Sequence, residues 1–318
     1  MWHSDLPCSR RQVVHRLAAA WTLLGAYPVW AQQPQVMVWT SEASGPQQDV
    51  LQALKRRWQG VVEVSAQRLE PGRAPDASAQ LLVHVVLGAR TLRAWADAQS
   101  AWPERVRLVP VLAALVPRLS VDALADRLPP GSAAVWLDQP PERFARLIVR
   151  AFPQARRVGV LQGMQSAPAL DRLAPVLQQH QLTMVRSPLV TDPQMLFSAL
   201  STILPDVDVL LAQPDSVLFN PDTLQNVLIT SYRQRVPLVG FAESHVRAGA
   251  TVGLFTQPAD VAGQVATAVQ HLLGAGRLPA ATWSSGARVA VNTQVAHSLG
   301  LTLPEAAELE SWVAGGSR

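Results

Sequence analysis

Two carboxylates stand where an α/β chain presents its chemistry. Asp215, within Gln213-Pro214-Asp215-Ser216, follows the apolar run at residues 208–212, and Glu243, within Ala242-Glu243-Ser244, follows the run at 238–241. Both runs are short and nearly unbroken, as expected of strands covered by helices on two faces, and ligands of such sheets bind beyond the carboxyl ends of the strands. A carboxylate there can accept hydrogen bonds from a cationic ligand group. Asp215 is equally placed to stabilise a turn after Pro214, and Glu243 to cap the short helix that follows it.

The residues of catalysis are not spaced for it. Beyond residue 31 the histidines are His84, His180, His245, His271 and His297, and no two of them have the His-x-x-x-His spacing of a metal site. His84 sits within an apolar strand and reads as a packed core residue. There is no Gly-x-Ser-x-Gly elbow and no phosphate-binding glycine loop. Asp206 and Asp208 alternate at a strand start and do not form a catalytic pair. The expectation is a binding protein with no cofactor and no metal.

The elements that must position Asp215 and Glu243 form a strand, helix, strand unit. Asn220 is the N-cap and Pro221 the first helical residue, after which Leu224, Val227, Leu228 and Tyr232 recur on one face. Pro237 restarts the chain into the next strand, which makes the unit a right-handed parallel crossover.

The stretches LPDVDVLLAQPDSVLFN, TSYRQRVPLVGFAESHVRAGA, QPADVAGQVATAVQHLLGAGRLP and ARVAVNTQVAHSLGLTLP resemble the substrate-binding proteins of bacterial ABC importers that use the type I periplasmic-binding-protein fold. The likeness covers residues 157–304 well and thins over 34–156. It implies two doubly wound Rossmann-like α/β lobes, crossing hinge strands, and a small-molecule ligand held between the lobes for an ABC permease in the inner membrane. By the family pattern the first lobe spans 32–137, the second 138–287, and residues 288–318 return to the first lobe.

Several relatives bind amino acids, so an ammonium would need a carboxylate and a carboxylate would need N–H or O–H donors. Glu42, Asp215 and Glu243 could supply the former. Ser41, Ser44, Ser166, Ser216 and Arg90 could supply the latter, with Trp39, Phe219 or Phe241 stacking on an apolar group. Gln162 and Gln213 complete the set at strand ends, the loop after Gln162 being expected opposite the Ser41-Glu42 loop. The divergent first lobe supports an alternative, a periplasmic scaffold or sensor with a degenerate pocket that partners a receptor or signalling protein.

Residues 1–31 read as an export signal, with Arg10, Arg11 and Arg16 ahead of an apolar stretch and Val29-Trp30-Ala31 as a cleavage site. The alternative is an amphipathic first helix of the folded domain. Ser9-Arg10-Arg11 also resembles a twin-arginine motif. Cys8, the single cysteine, falls inside this leader, so a periplasmic product would carry neither disulfide nor thiol.

Beyond residue 31 the chain has 24 basic and 22 acidic residues, after three Arg and one Asp are taken from totals of 27 and 23. Its arginines are scattered, with no basic stripe to track phosphates, so no nucleic-acid partner is expected. No internal apolar stretch is long enough to span a bilayer, so the chain is not expected to be an integral membrane protein.

In the remainder of the first lobe, strands are expected at 36–39, 61–66, 80–87 and 107–112, with 135–137 as the first crossing strand. Helices are expected at 46–58 and around Leu92, Trp95 and Ala96. In the second lobe the alternation continues with helices at 141–152, around Leu170 to Leu177, at 193–203 and from Pro258, and a terminal helix at 305–313. Such alternation is a doubly wound pattern.

Overall fold

The structure, a computed structural model, describes residues 33–68, 75 and 80–315. The export signal expected at 1–31 lies outside the described residues. Residues 34–318 form one compact unit containing two six-stranded sheets.

The first lobe runs β1 (Gln35–Thr40), α1 (Pro46–Arg57), β2 (Glu63–Arg68), β3 (Leu81–Leu87), α2 (Ala89–Ala98), α3 (Glu104–Arg107), β4 (Val111–Val116), α4 (Arg118–Asp122) and β5 (Ala133–Trp136). The second runs α5 (Pro141–Ala151), β6 (Arg157–Gly163), α6 (Ala167–Gln179), β7 (Thr183–Val190), α7 (Leu196–Ile203), β8 (Val209–Leu211), α8 (Pro221–Arg233), β9 (Leu238–Gly240), α9 (Glu243–Ala248) and β10 (Val252–Phe255). Then come α10 (Pro258–Ala275), β11 (Thr282–Trp283), β12 (Arg288–Val291), α11 (Thr293–Ser298) and α12 (Ala306–Ala314).

Strand order is β2-β1-β3-β4-β5-β11 in one sheet and β7-β6-β8-β9-β10-β12 in the other. All pairings are parallel except β10 with β12. Every residue of β1 and of β4 is buried, because helices cover both faces of the sheet. Strand alternation sorts them: Val36 and Val38 meet α1 and α10, whereas Met37 and Trp39 meet Trp95 and Trp102. The second sheet is layered in the same way, with α5, α6 and α12 on one face and α7, α8 and α9 on the other.

Three expectations are corrected. The first lobe is completed by α10 and β11, not by residues 288–318. Val261, Val265 and Val269 of α10 pack against Val50 and Leu54 of α1, and β11 pairs with β5. In contrast, β12 runs antiparallel along β10, and α12 places Leu309 and Val313 in the second lobe's core. The strand expected at 107–112 lies at Val111–Val116, because Pro103 opens a helical turn whose carbonyl accepts from Val106 and Arg107. The segment 133–136 is a regular strand of the first sheet, and the crossing is made by the residues after it.

The chain therefore passes between lobes three times, at residues 137–140, 256–257 and 284–287. Both sheets have the order in which the strand direction of travel reverses between the first strand and the third. These switch points lie between β1 and β3 and between β6 and β8.

Candidate ligand cleft

Parallel strands all end on the same side of a sheet, and in each lobe that side borders the other lobe. A cleft of about 520 Å³ opens there. Its first-lobe wall carries Glu42 after β1, Pro46 and Gln47 opening α1, Gly88, Ala89 and Arg90 opening α2, and Leu115 of β4. Its second-lobe wall carries Phe241, Ala242, Glu243, Ser244 and Arg247 around α9, and Phe255 of β10. Leu137, Thr256 and Gln257 of the crossing segments form the floor, and Pro258 opens α10 beside them.

Leu115 is in the left-handed region at φ 55°, at a bulge where the register of β4 on β5 shifts. A leucine holds that conformation only when its surroundings enforce it, and the bulge presents its side chain to the cleft.

The cleft carries both signs of charge. Glu42 and Arg90 are exposed on the first lobe, and Glu243 and Arg247 on the second, the latter two paired at 3.1 Å across one helical turn. The amino ends of α1, α2 and α10 also open here, and their unsatisfied N–H groups favour an anionic ligand group. Phe241 is half-buried and rests edge-on against His245 (4.4 Å between ring centroids) and Phe219 (5.9 Å). His245 is buried, which lowers its pKa, and its Nδ1 has no hydrogen-bond partner among the described residues.

Beyond Phe241 and Leu137 the cleft continues towards the hinge as a chamber of about 90 Å³ lined by Asp138, Gln139, Phe144, Gln213 and Pro214. A smaller recess adjoins it, reached by Arg118 and Trp283 of the first lobe and Arg172 of the second. Arg118 lies over the Trp136 ring at 4.7 Å and the Trp283 ring at 5.5 Å. Asp138 Oδ2 accepts the Arg118 backbone N–H at 2.5 Å. Burial pushes the Asp138 carboxyl above the usual carboxylate range, against the opposing pull of that hydrogen bond and of the Arg172 and Arg118 charges.

Of the residues expected at the site, Glu42, Arg90, Phe241 and Glu243 meet in the main cleft and Gln213 lines the hinge-side chamber. Asp215 does not join them. Its Oδ2 accepts from Ser166 N (3.0 Å) and its Oδ1 from Val217 N (3.0 Å) and Leu218 N (3.3 Å), so the turn role is the one it performs. Ser166 is fully buried, its Oγ accepting from Gly163 N at 3.0 Å. Gln162 N donates to Ser187 Oγ, and Ser216 is tied to Gln165 by its N–H and hydroxyl. Ser41 is held between α1 and α2, donating its N–H to Gln47 Oε1 (2.9 Å) while its hydroxyl accepts from Thr91 (3.0 Å).

Trp39 and Phe219 are core residues, Trp39 stacking on Trp102 at 5.2 Å and donating to His84 Nδ1 at 3.1 Å. His84 is fully buried, as its apolar strand predicted. Sequence reasoning missed Asp138, Arg118, Arg172 and Arg247. Asp138 follows a strand end just as Asp215 does, and that shared position was the available signal. Among the described residues no cluster of three or more His, Cys, Asp or Glu is arranged to hold a metal, and no helix is long and apolar enough to cross a membrane.

No protein-family model and no curated protein matches the chain. Solved structures do. A conserved domain protein from Vibrio cholerae is 19% identical with a TM-score of 0.60, over 87% of this chain and 98% of that one. An ABC domain from Streptococcus pneumonia, solved in complex with L-Trp, is 16% identical with a TM-score of 0.58, over 87% and 98%. A substrate-binding protein with adhesive properties from Clostridium difficile, in a ligand-free, open form, is 12% identical with a TM-score of 0.64, over 86% and 96%. The fold is that of the type I periplasmic binding proteins.

Proposed function

We propose that the chain is an exported solute-binding protein that captures a small zwitterion, an amino acid or a close relative, and delivers it to an ABC permease in the inner membrane. The observation that carries this reading is the set of opposite charges that both lobes present to one cleft: Glu42 and Arg90 from the first, Glu243 and Arg247 from the second. Asp138 supplies a further carboxylate at the hinge end. An ammonium group suits the carboxylates, and a carboxylate suits the arginines and the helix amino ends. The cleft volume of about 520 Å³ is in the range of small-ligand sites. That a chain of this fold was solved with L-Trp agrees with the reading. No catalytic role is assigned, and in this reading residues 1–31 act as an export signal that directs the protein to the periplasm.

A thermal-shift screen against amino acids, short peptides, nucleosides, sugars and metal chelates tests it. A solute at a hundredfold excess over its Kd stabilises the native state by about 2.7 kcal/mol. Solute capture predicts a saturable shift with amino acids that Glu243→Ala or Arg90→Ala abolishes. A shift confined to sugars or nucleosides would overturn the zwitterion assignment.

A second reading is favoured by the first lobe's polar loop, where Ser41, Gln47 and Thr91 hydrogen-bond one another. In that reading the protein is a periplasmic scaffold or sensor for a receptor or signalling partner. Absence of a shift with every solute class, from folded protein freed of carried-over ligand, would select it.

A further inference from the structure

The three crossing segments meet at one side chain. Gln139, only 5% exposed, lies in the first segment. Its Nε2 donates to Thr256 Oγ1 in the second segment at 2.7 Å and to the Gly286 carbonyl in the third at 2.8 Å. Its Oε1 accepts from Arg143 Nη1 at 2.7 Å, in the first turn of α5. Arg143 in turn donates to the carbonyls of Ser284 (2.8 Å) and Ser285 (3.1 Å) in the third segment. Both amide hydrogens and the amide oxygen are thus engaged, each on a different element.

The surroundings restrict the backbone around this point. Pro140 and Pro141 follow Gln139 and Pro258 follows Gln257, so φ is fixed where the segments enter their helices. Gly286 passes so close to Asp260 of α10 that any Cβ there would collide with the carboxylate. Two other side chains each link two of the segments, Arg143 joining the Gln139 oxygen to the third segment and Thr256 Oγ1 donating to Leu137 O at 3.3 Å, but among the described residues Gln139 is the one that reaches all three.

We propose that the Gln139 carboxamide is the pin of the hinge, the group that holds all three crossing segments in register and about which the lobes turn when the cleft opens and shuts. Hinge closure in two-lobed proteins is absorbed by a few residues at element ends, and here one amide couples all of them. Arg143 is a positioning residue, acting through the Gln139 oxygen and the third segment.

Electron–electron distance measurement between nitroxides on the two lobes, in the full chain with no solute added, tests this. The labels replace Arg93 on α2 and the exposed Met164 after β6 through Arg93→Cys and Met164→Cys, in a Cys8→Ser background. Gln139→Leu is expected to broaden the inter-lobe distance distribution at least roughly twofold, as a loosened hinge samples more angles. Arg143→Met should broaden it less, and Arg150→Met, which removes a surface ion pair to Glu308 within the second lobe, should leave it unchanged. Distributions for Gln139→Leu and Arg143→Met that superimpose on the parent, with only a lowered Tm, would overturn the proposal. Should Gln139→Leu not fold, Gln139→Glu, which keeps the acceptor and loses both donors, is read by the same two outcomes. The readout needs no solute, so a rigid hinge here would leave solute capture standing, and a failed solute screen would leave the pin standing.

Discussion

The Asp215 carboxylate occupies the space that a side chain on Gly163 would fill, so any Cβ at that glycine would collide with it. Held there, Asp215 bridges the ends of β6 and β8 by binding Ser166 N, and so closes the switch-point crevice of the second lobe. The first lobe does the same with other residues. A Cβ on Gly88 would meet Gln47 Nε2 at 2.5 Å, and Gln47 ties the loop after β1 through Ser41. In each lobe a glycine at a strand end admits a polar side chain that stitches neighbouring loops, and in the first lobe that stitch forms part of the cleft wall.

Asp215 is therefore a stability residue. Asp215→Ala should lower stability by about 1–3 kcal/mol, the range for removing an acceptor from buried donors, with solute affinity retained. Gly163→Ala should lower it by a similar amount, about 1–3 kcal/mol, by overpacking. Denaturant unfolding measures both, and loss of solute binding by Asp215→Ala at unchanged stability would contradict the assignment.

His84 predicts an acid sensitivity. Its Nδ1 accepts from Trp39 and its Nε2 reaches the Val106 carbonyl at 2.9 Å, with aromatic rings around it. Burial lowers its pKa from 6.5 to about 4. A histidine depressed on folding stays neutral in the folded chain while the unfolded chain takes up a proton. Stability is then fully present above pH 6.5 and is lost as pH falls towards 4, by about 3 kcal/mol in total. Urea unfolding of the parent and of His84→Gln between pH 7 and pH 4.5 should show a steeper loss in the parent, the buried His245 contributing to both.

Asp138 has the opposite sign. Its carboxyl is raised by burial, so ionisation opposes folding, and the penalty appears as pH rises through the carboxylate range. Asp138→Asn keeps an acceptor for Arg118 N and removes the charge. Its Tm at pH 7 should exceed that of the parent, while amino-acid affinity falls about tenfold or more if the carboxylate receives the ammonium. Calorimetry with and without solute reads both.

Phe241 separates the main cleft from the hinge-side chamber. Phe241→Ala should join the two spaces and weaken solute binding, and the lost core packing should cost about 3–5 kcal/mol at most, less because the ring is half-exposed. Isothermal titration against the best solute of the screen, set beside the unfolding midpoint, separates the two effects.

Much of this was legible in the residues. The unbroken apolar runs marked the buried strands, and Asn220-Pro221 marked a helix start that the structure caps with an Asn220 side-chain bond to Thr223 N. Strand ends located the cleft in outline. What the runs could not convey is which strand-end side chain turns outward. Asp215 and Asp138 have the same local signal, and only the three N–H groups awaiting one of them separate their roles. Likewise, the return of the chain to the first lobe is made by a helix stripe, Val261 to Leu272, whose partner across the sequence is α1. One-dimensional periodicity shows that such a stripe is buried but not against what.

That return has a consequence for how the protein is made. The first lobe's inner layer lacks α10 until residue 275 has been synthesised, and its sheet lacks an edge until β11 is complete at Trp283. A nascent chain carrying α1 and β1 to β5 must therefore wait, with Val50 and Leu54 uncovered, while the whole stretch up to β10 is added. Contacts so distant in sequence are slow to form, and the exposed apolar face invites chaperones in the meantime. The interleaving that lets the lobes share a hinge also makes neither of them a contiguous folding unit, so cutting the chain between the lobes would leave the first without the α10 half of its interior.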